Sequence, residues 1–225
     1  MNKSTKKFIL KSLIFFMAIF LLNNQIYSYV LANGSGQGYE DPGDGKSNFG
    51  STKDNSIIDT YIEKGGGYFL NSFSSILSFS NRIEMKNIEG FDFEEIQMIL
   101  DSAINNMISA KSTYYILIQI AQDTPYDPEA ISKLRSFDYQ SFMNNYSLNS
   151  EIFKEVEWYL KNGNITGNFI RIYNSFIKIE GLLLSIKDEL SLNKMPSLST
   201  IWDVNEEATR TLVFGQYITR IFNAI

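Results

Sequence analysis

Three groups of carboxylates concentrate the acid–base chemistry of this chain. They are Glu151, Glu155 and Glu157; Asp203, Glu206 and Glu207; and Glu94, Glu95 and Asp101. A carboxylate-pair hydrolase needs one carboxyl raised by an apolar pocket while its partner stays ionised. Glu157, beside Trp158, has the only obviously apolar sequence neighbour. Adjacent helical residues point about 100° apart, so adjacency alone does not lay the indole over the carboxyl. All three groups therefore read as solvated faces.

The 225 residues include no histidine and no cysteine. That composition excludes Ser–His and Cys–His nucleophiles, structural zinc, iron–sulfur clusters, the usual haem ligands and disulfides. A di-metal bundle would lack its Glu-x-x-His ligands. Glu40, Asp41 and Asp44 lie among glycines but lack the alternating ligand order and terminal Glu of an EF-hand. The chain is thus expected to hold no metal and no cofactor, and to be no enzyme.

Two apolar features are candidates for binding. Residues 124–163 are crowded with aromatic side chains, of which Tyr139, Phe142, Tyr146 and Trp158 are the platform candidates for a partner. The plainer expectation is that they cap the end and side of a helical core. The second feature is a stripe of Ile170, Tyr173, Ile177, Gly181 and Leu184. It is either the docking face for residues 124–163 or a surface for a protein partner or a second copy.

Helices must carry these residues. Phe93, Ile96, Leu100, Ala103, Met107, Ala110, Tyr114, Leu117 and Ala121 form one heptad seam. Ile165, Phe169, Ile172, Phe176, Ile179, Leu183, Ile186 and Leu190 form another. Spacings alternate three and four without a miss, which puts one apolar seam on each of two long straight helices. The first of the two is predicted from Asp92 as N-cap to about Asp123, with a Phe91–Ile96 staple. The second covers about 165–192. A helix over about 56–86 places Ile58, Ile62, Gly65, Phe69, Phe73, Ile76 and Ile83 on one side. Gly65-Gly66-Gly67 inside it costs about 3 kcal/mol against alanine, so the helix breaks there or a neighbour presses close. A last helix over about 198–223 has the seam Ile201, Val204, Ala208, Thr211, Gly215, Ile218 and Phe222, with Glu206 and Arg210 as an exposed pair. Short helices start at Asp127-Pro128, Phe137-Asp138 and Asn149-Ser150, the third closed by Gly163.

The expected fold is all-α: an antiparallel bundle of four long helices (residues 56–225), with a short-helix crossover (124–163) between the second and third. Residues 33–55, rich in Gly, Ser, Asp and Asn, read as a flexible leader. Residues 1–32 read as a signal peptide: Lys3, Lys6 and Lys7, an apolar run from Ser12 to Leu22, and a small-residue site at Val30-Leu31-Ala32. The acceptor patterns at Asn145 and Asn164 are chance matches in an asparagine-rich chain whose Ile, Lys, Phe and Tyr usage fits an AT-rich bacterial genome.

The formal charge is −5, from 20 bases and 25 acids. Residues 1–32 hold four lysines and no acid, so the remainder stands at −9. Nucleic acid is a poor partner for so acidic a body. The reading is an exported, non-catalytic bundle, periplasmic, cell-surface or extracellular, acting by protein–protein interaction or self-assembly. The alternatives are a secreted carboxylate-dependent hydrolase of envelope polysaccharide and a membrane-active bundle.

Overall fold

The computed structural model describes residues 53–89, 92–146, 148–192 and 194–225. The expected signal peptide, residues 33–52 of the expected leader, and Phe91 of the staple lie outside them. Seven helices and no strand occur among the described residues: α1 (Lys53–Glu89), α2 (Phe93–Asp123), α3 (Pro128–Ser136), α4 (Tyr139–Tyr146), α5 (Ser150–Lys161), α6 (Ile165–Ser191) and α7 (Leu198–Phe222). The fold is all-α. Residues 53–55, assigned above to the leader, belong instead to α1.

Local signals set the boundaries. The Asp92 carboxylate accepts the Glu95 N–H at 3.1 Å and opens α2. Asp127 does the same for α3 through the Glu129 N–H at 2.9 Å, with Pro128 following it. Asn149 accepts from Glu151 and Ile152, both at 3.1 Å. Beyond α5 the chain turns at Gly163, whose φ of 68° lies in the left-handed region where only glycine is unstrained. Asn164 then caps α6 by accepting from the Gly167 N–H at 2.9 Å.

The two long seams are buried as the heptads require. All eight α6 seam residues are in the core, and so are those of α2 except Phe93, which is exposed at the open end. In α7 the seam departs from the heptad after Thr211: Phe214, Tyr217 and Ile221 are buried, and Gly215 and Ile218 are only partly so. The cause is α5, which packs on this side of α7: Tyr159 meets the Phe214 ring edge-on at 6.2 Å and Phe153 meets Tyr217 at 6.0 Å.

α1 runs unbroken through its three glycines. Gly65 faces α2, where a Cβ would stand 2.7 Å from the Tyr114 ring, so the close approach needs a residue without one. Gly66 and Gly67 have no such neighbour within 4 Å.

The long helices contact one another in the sequence α1–α2, α2–α6, α6–α7 and α7–α1, while α5 rests on α6 and α7 and carries α3 and α4. Cross-helix pairs descend one helix as they climb the next. For α1 and α2 these are Arg82–Glu95, Ser75–Ser102 and Ser72–Ala103. For α2 and α6 they are Asp101–Lys187, Lys111–Glu180 and Tyr115–Tyr173. Asn205 joins α7 to α1 by donating to the Ser80 hydroxyl at 2.8 Å.

Candidate functional site

α6 has two apolar sides with different fates. Its main seam fills the core. Opposite that seam, Ile170, Ile177 and Leu184 remain 38%, 45% and 42% exposed. α5 leaves them exposed: it is held on the flank of α6 at Arg171, where its Tyr159 borders Ile170. Tyr173 stands at the edge toward α2, its ring 6.2 Å from that of Tyr115. Tyr115 and Ile108, seven residues apart on α2, are also exposed. The stripe therefore extends across the α2–α6 junction.

Charge is sparse on this face. Between Ser102 and Gln122, α2 carries one ionisable acid or base, Lys111. Lys111 pairs across the junction with the largely buried Glu180. Asp101 is paired in the same way with Lys187, at 2.7 Å. No helix among the described residues is long and apolar enough to cross a membrane.

The aromatic candidates separate. Tyr139 and Phe142 are buried and offer no surface. The Tyr139 ring packs 5.0 Å from Phe137, and its hydroxyl donates to the Leu134 carbonyl at 2.8 Å. Burial and the nearby Glu157 charge both raise the Tyr139 pKa. Phe142 and Phe153 stack at 6.2 Å, and Phe153 meets Tyr217 of α7 at 6.0 Å. These rings anchor the crossover to the core. Tyr146 and Trp158 are exposed, Tyr146 against Phe142 at 4.7 Å and Trp158 edge-on to Tyr159 at 4.9 Å.

The carboxylates form an arrangement that the sequence reading missed. Arg171 Nε donates to Glu155 Oε1 at 2.9 Å, and its Nη1 donates to the Ser175 hydroxyl. Ser175 in turn donates to Glu207 Oε1 at 2.7 Å, and Lys178 Nζ donates to Glu207 Oε2 at 2.7 Å. Arg210 donates to Glu151 at 2.9 Å and to Glu155 Oε2 at 3.3 Å. The Arg171 guanidinium also lies 4.8 Å from the Phe214 ring centre, a cation–π contact. Three cations and three carboxylates thus tie α5, α6 and α7 together.

Two expectations are corrected here. Arg210 does not pair with Glu206; it reaches across to α5, where two carboxylates stand within its span. Glu207 is no solvated side chain: it and Arg171 are each 11% exposed. Burial pushes the Glu207 carboxyl up, but hydrogen bonds from Lys178 and Ser175 and the charges of Lys178 and Arg171 outweigh it and hold the pKa below its usual value. Arg210 is raised: desolvation acts against it, and its bonds to Glu155 and Glu151 prevail.

A cleft of about 250 Å³ lies beside this seam, with Tyr159, Ile170, Asn174, Lys178 and Glu207 in its walls. No family model, curated protein or solved structure matches the chain. The chemistry of the cleft must be read from its own residues. Glu207 is held ionised, the reverse of what a general acid requires. Glu155 is bridged between two guanidinium groups. Glu157, the carboxylate beside Trp158, pairs with Lys161 at 3.1 Å. No cluster of three or more potential metal ligands occurs among the described residues.

A hint of the ionic seam is present in the sequence. Arg171, Ser175 and Lys178 recur at helical spacing on α6, a polar stripe on an otherwise apolar helix.

Proposed function

We propose that this is an exported protein that works by binding, to another protein or to its own kind, and not by catalysis. In this reading α1, α2, α6 and α7 form an antiparallel four-helix bundle, α3–α5 are its crossover, and residues 1–32 are a signal peptide. The opposed order of the cross-helix pairs supports the antiparallel arrangement. The protein acts in the periplasm, at the cell surface or outside the cell, and its acidic body keeps it off nucleic acid.

One observation carries the reading. The α2–α6 face combines exposed Ile108, Tyr115, Ile170, Ile177 and Leu184 with almost no unpaired charge. Depletion of charge with enrichment in aromatic and aliphatic side chains marks the centre of protein interfaces. The neutralised carboxylates of the ionic seam point away from acid–base work, which supports the non-catalytic half of the proposal.

The test uses the full chain expressed in a bacterial host. Mass spectrometry of the exported protein should find a mature start near Asn33. Ile170→Glu with Leu184→Glu should abolish co-purification with partner or self while leaving helicity intact. An intracellular, unprocessed chain, or association indifferent to both substitutions, overturns the proposal.

A further inference from the structure

We infer that the α2–α6 face is occupied by a second copy of this chain, in a two-fold dimer whose α6 helices run antiparallel. This rests on the interaction reading above and names its partner.

Charge favours self-recognition. Lys111 is satisfied by Glu180 and Asp101 by Lys187, all within one copy. A face neutralised internally offers no field to an acidic or basic partner, yet it meets its own copy without repulsion. Lys178, at the far edge, is likewise held by Glu207.

Area is sufficient. α6 has 27 residues. At 1.5 Å per residue and about 10 Å of width per helix, two such helices present a face of about 800 Å². That is the share each partner contributes to a specific interface of ordinary size.

Shape supplies the register. Gly181 lies on the exposed side of α6 between Ile177 and Leu184, and no atom stands within 4 Å of where its Cβ would be. A glycine inside a helix weakens it relative to alanine. Gly65 answers that cost with the Tyr114 ring; over Gly181, as over Gly66, Gly67 and Gly215, nothing stands within 4 Å among the described residues, and Gly181 differs from those three in lying between the exposed Ile177 and Leu184. Close approach of a second helix backbone is what a bare position permits. A two-fold interface makes each contact twice. With the axis at Ile177, Ile170 of one copy faces Leu184 of the other, Tyr173 comes level with Gly181, and Ile177 meets its own counterpart.

Sedimentation equilibrium of the mature chain, from about 1 to 100 µM, should show a reversible dimer. Ile177→Glu, at a position already 45% exposed, should keep the circular dichroism spectrum and weaken dimerisation at least about tenfold. The chain has no cysteine, so an introduced one is unique. Under mild oxidation Ile177→Cys should cross-link to a disulfide dimer, and Trp158→Cys, exposed on α5, should not. A monomer at every concentration overturns the inference, and so does a dimer cross-linked by Trp158→Cys in preference to Ile177→Cys. A monomer that still loses another protein on Ile170→Glu with Leu184→Glu removes the self-partner and leaves the interaction reading standing. Loss of both readings would appear as a monomer that binds nothing.

Discussion

Alanine at Gly65 should destabilise this protein, while the same change at Gly66 or Gly67 should stabilise it. In an exposed helix all three would gain about 1 kcal/mol, since glycine is the weakest helix former after proline. At Gly65 the new methyl would stand 2.7 Å from two atoms of the Tyr114 ring and 3.3 Å from the Thr113 methyl. Carbon atoms rest at about 3.5–4.0 Å, so α1 and α2 must separate by close to 1 Å or the ring must turn. The ring has nowhere to go. It is buried, and it meets Phe176 edge-on at 5.1 Å and Phe169 at 6.4 Å. Overpacking of this kind costs about 1–3 kcal/mol. The net at Gly65 is a loss of about 0–2 kcal/mol, against a gain of about 1 kcal/mol at Gly66 and again at Gly67. For a domain of this size each kcal/mol moves Tm by about 2–4 °C. Urea denaturation followed by circular dichroism, on the three single variants, reads the difference directly. Equal stabilisation by Gly65→Ala and Gly66→Ala would refute the packing argument.

Three further outcomes are expected. Arg171→Ala removes the cation shared by Glu155 and the largely covered Glu207, leaving them only Arg210 and Lys178, and should lower stability by about 1–3 kcal/mol in chemical denaturation. The Glu207 pKa is depressed in the folded state, so the unfolded chain binds more protons; stability from this group is present above its ordinary 4.5 and is lost as pH falls through the lower folded value. Tm should therefore fall more steeply below about pH 4.5 in the native protein than in Glu207→Gln, and parallel pH profiles would contradict the assignment. Tyr217→Phe removes the hydroxyl that accepts the Asn149 N–H at 2.8 Å, at the start of α5, and should cost about 0.5–1.5 kcal/mol in the same assay with no change in helicity.

The parts of this fold legible in the sequence are the parts encoded locally. Ile96 through Ala121 and Ile165 through Leu190 lie on their buried seams because a 3.5-residue period needs no knowledge of a partner. Asp92, Asp127 and Asn149 cap their helices through bonds to N–H groups two or three residues on. The heptad of α7 fails after Thr211 because Phe214 and Tyr217 are buried by Tyr159 and Phe153 of α5, partners that no local period encodes. Gly65 was ambiguous for a different reason: its role is set by Tyr114, 49 positions away, and the helix around it looks the same either way.

The candidate site was less legible. Glu155, Arg171, Glu207 and Arg210 come from three helices, with partners separated by 16 to 55 residues. Sequence grouping set Glu206 beside Glu207 as equals. The fold largely covers one and leaves the other exposed, because α6 presents Ser175 and Lys178 to Glu207 alone. The apolar stripe is legible in Ile170, Ile177 and Leu184, but its exposure depends on where α5 comes to rest.

The crossover also shapes how the chain reaches this structure. Six residues, 192–197, separate α6 from α7, whereas 41 residues, 124–164, separate α2 from α6. Closing the longer loop spans nearly three doublings of length, about 1.7 kcal/mol more in chain entropy. The α6–α7 pair, and α1 with α2 on either side of a three-residue link, are the inexpensive contacts to form. Union of the two pairs is then the slow event; α5, which rests on α6 and α7, belongs with the second pair. Weakening the Arg171 seam, whose Arg171–Glu155 pair spans only 16 residues, should therefore slow folding more than it accelerates unfolding, since that contact forms before the two pairs unite.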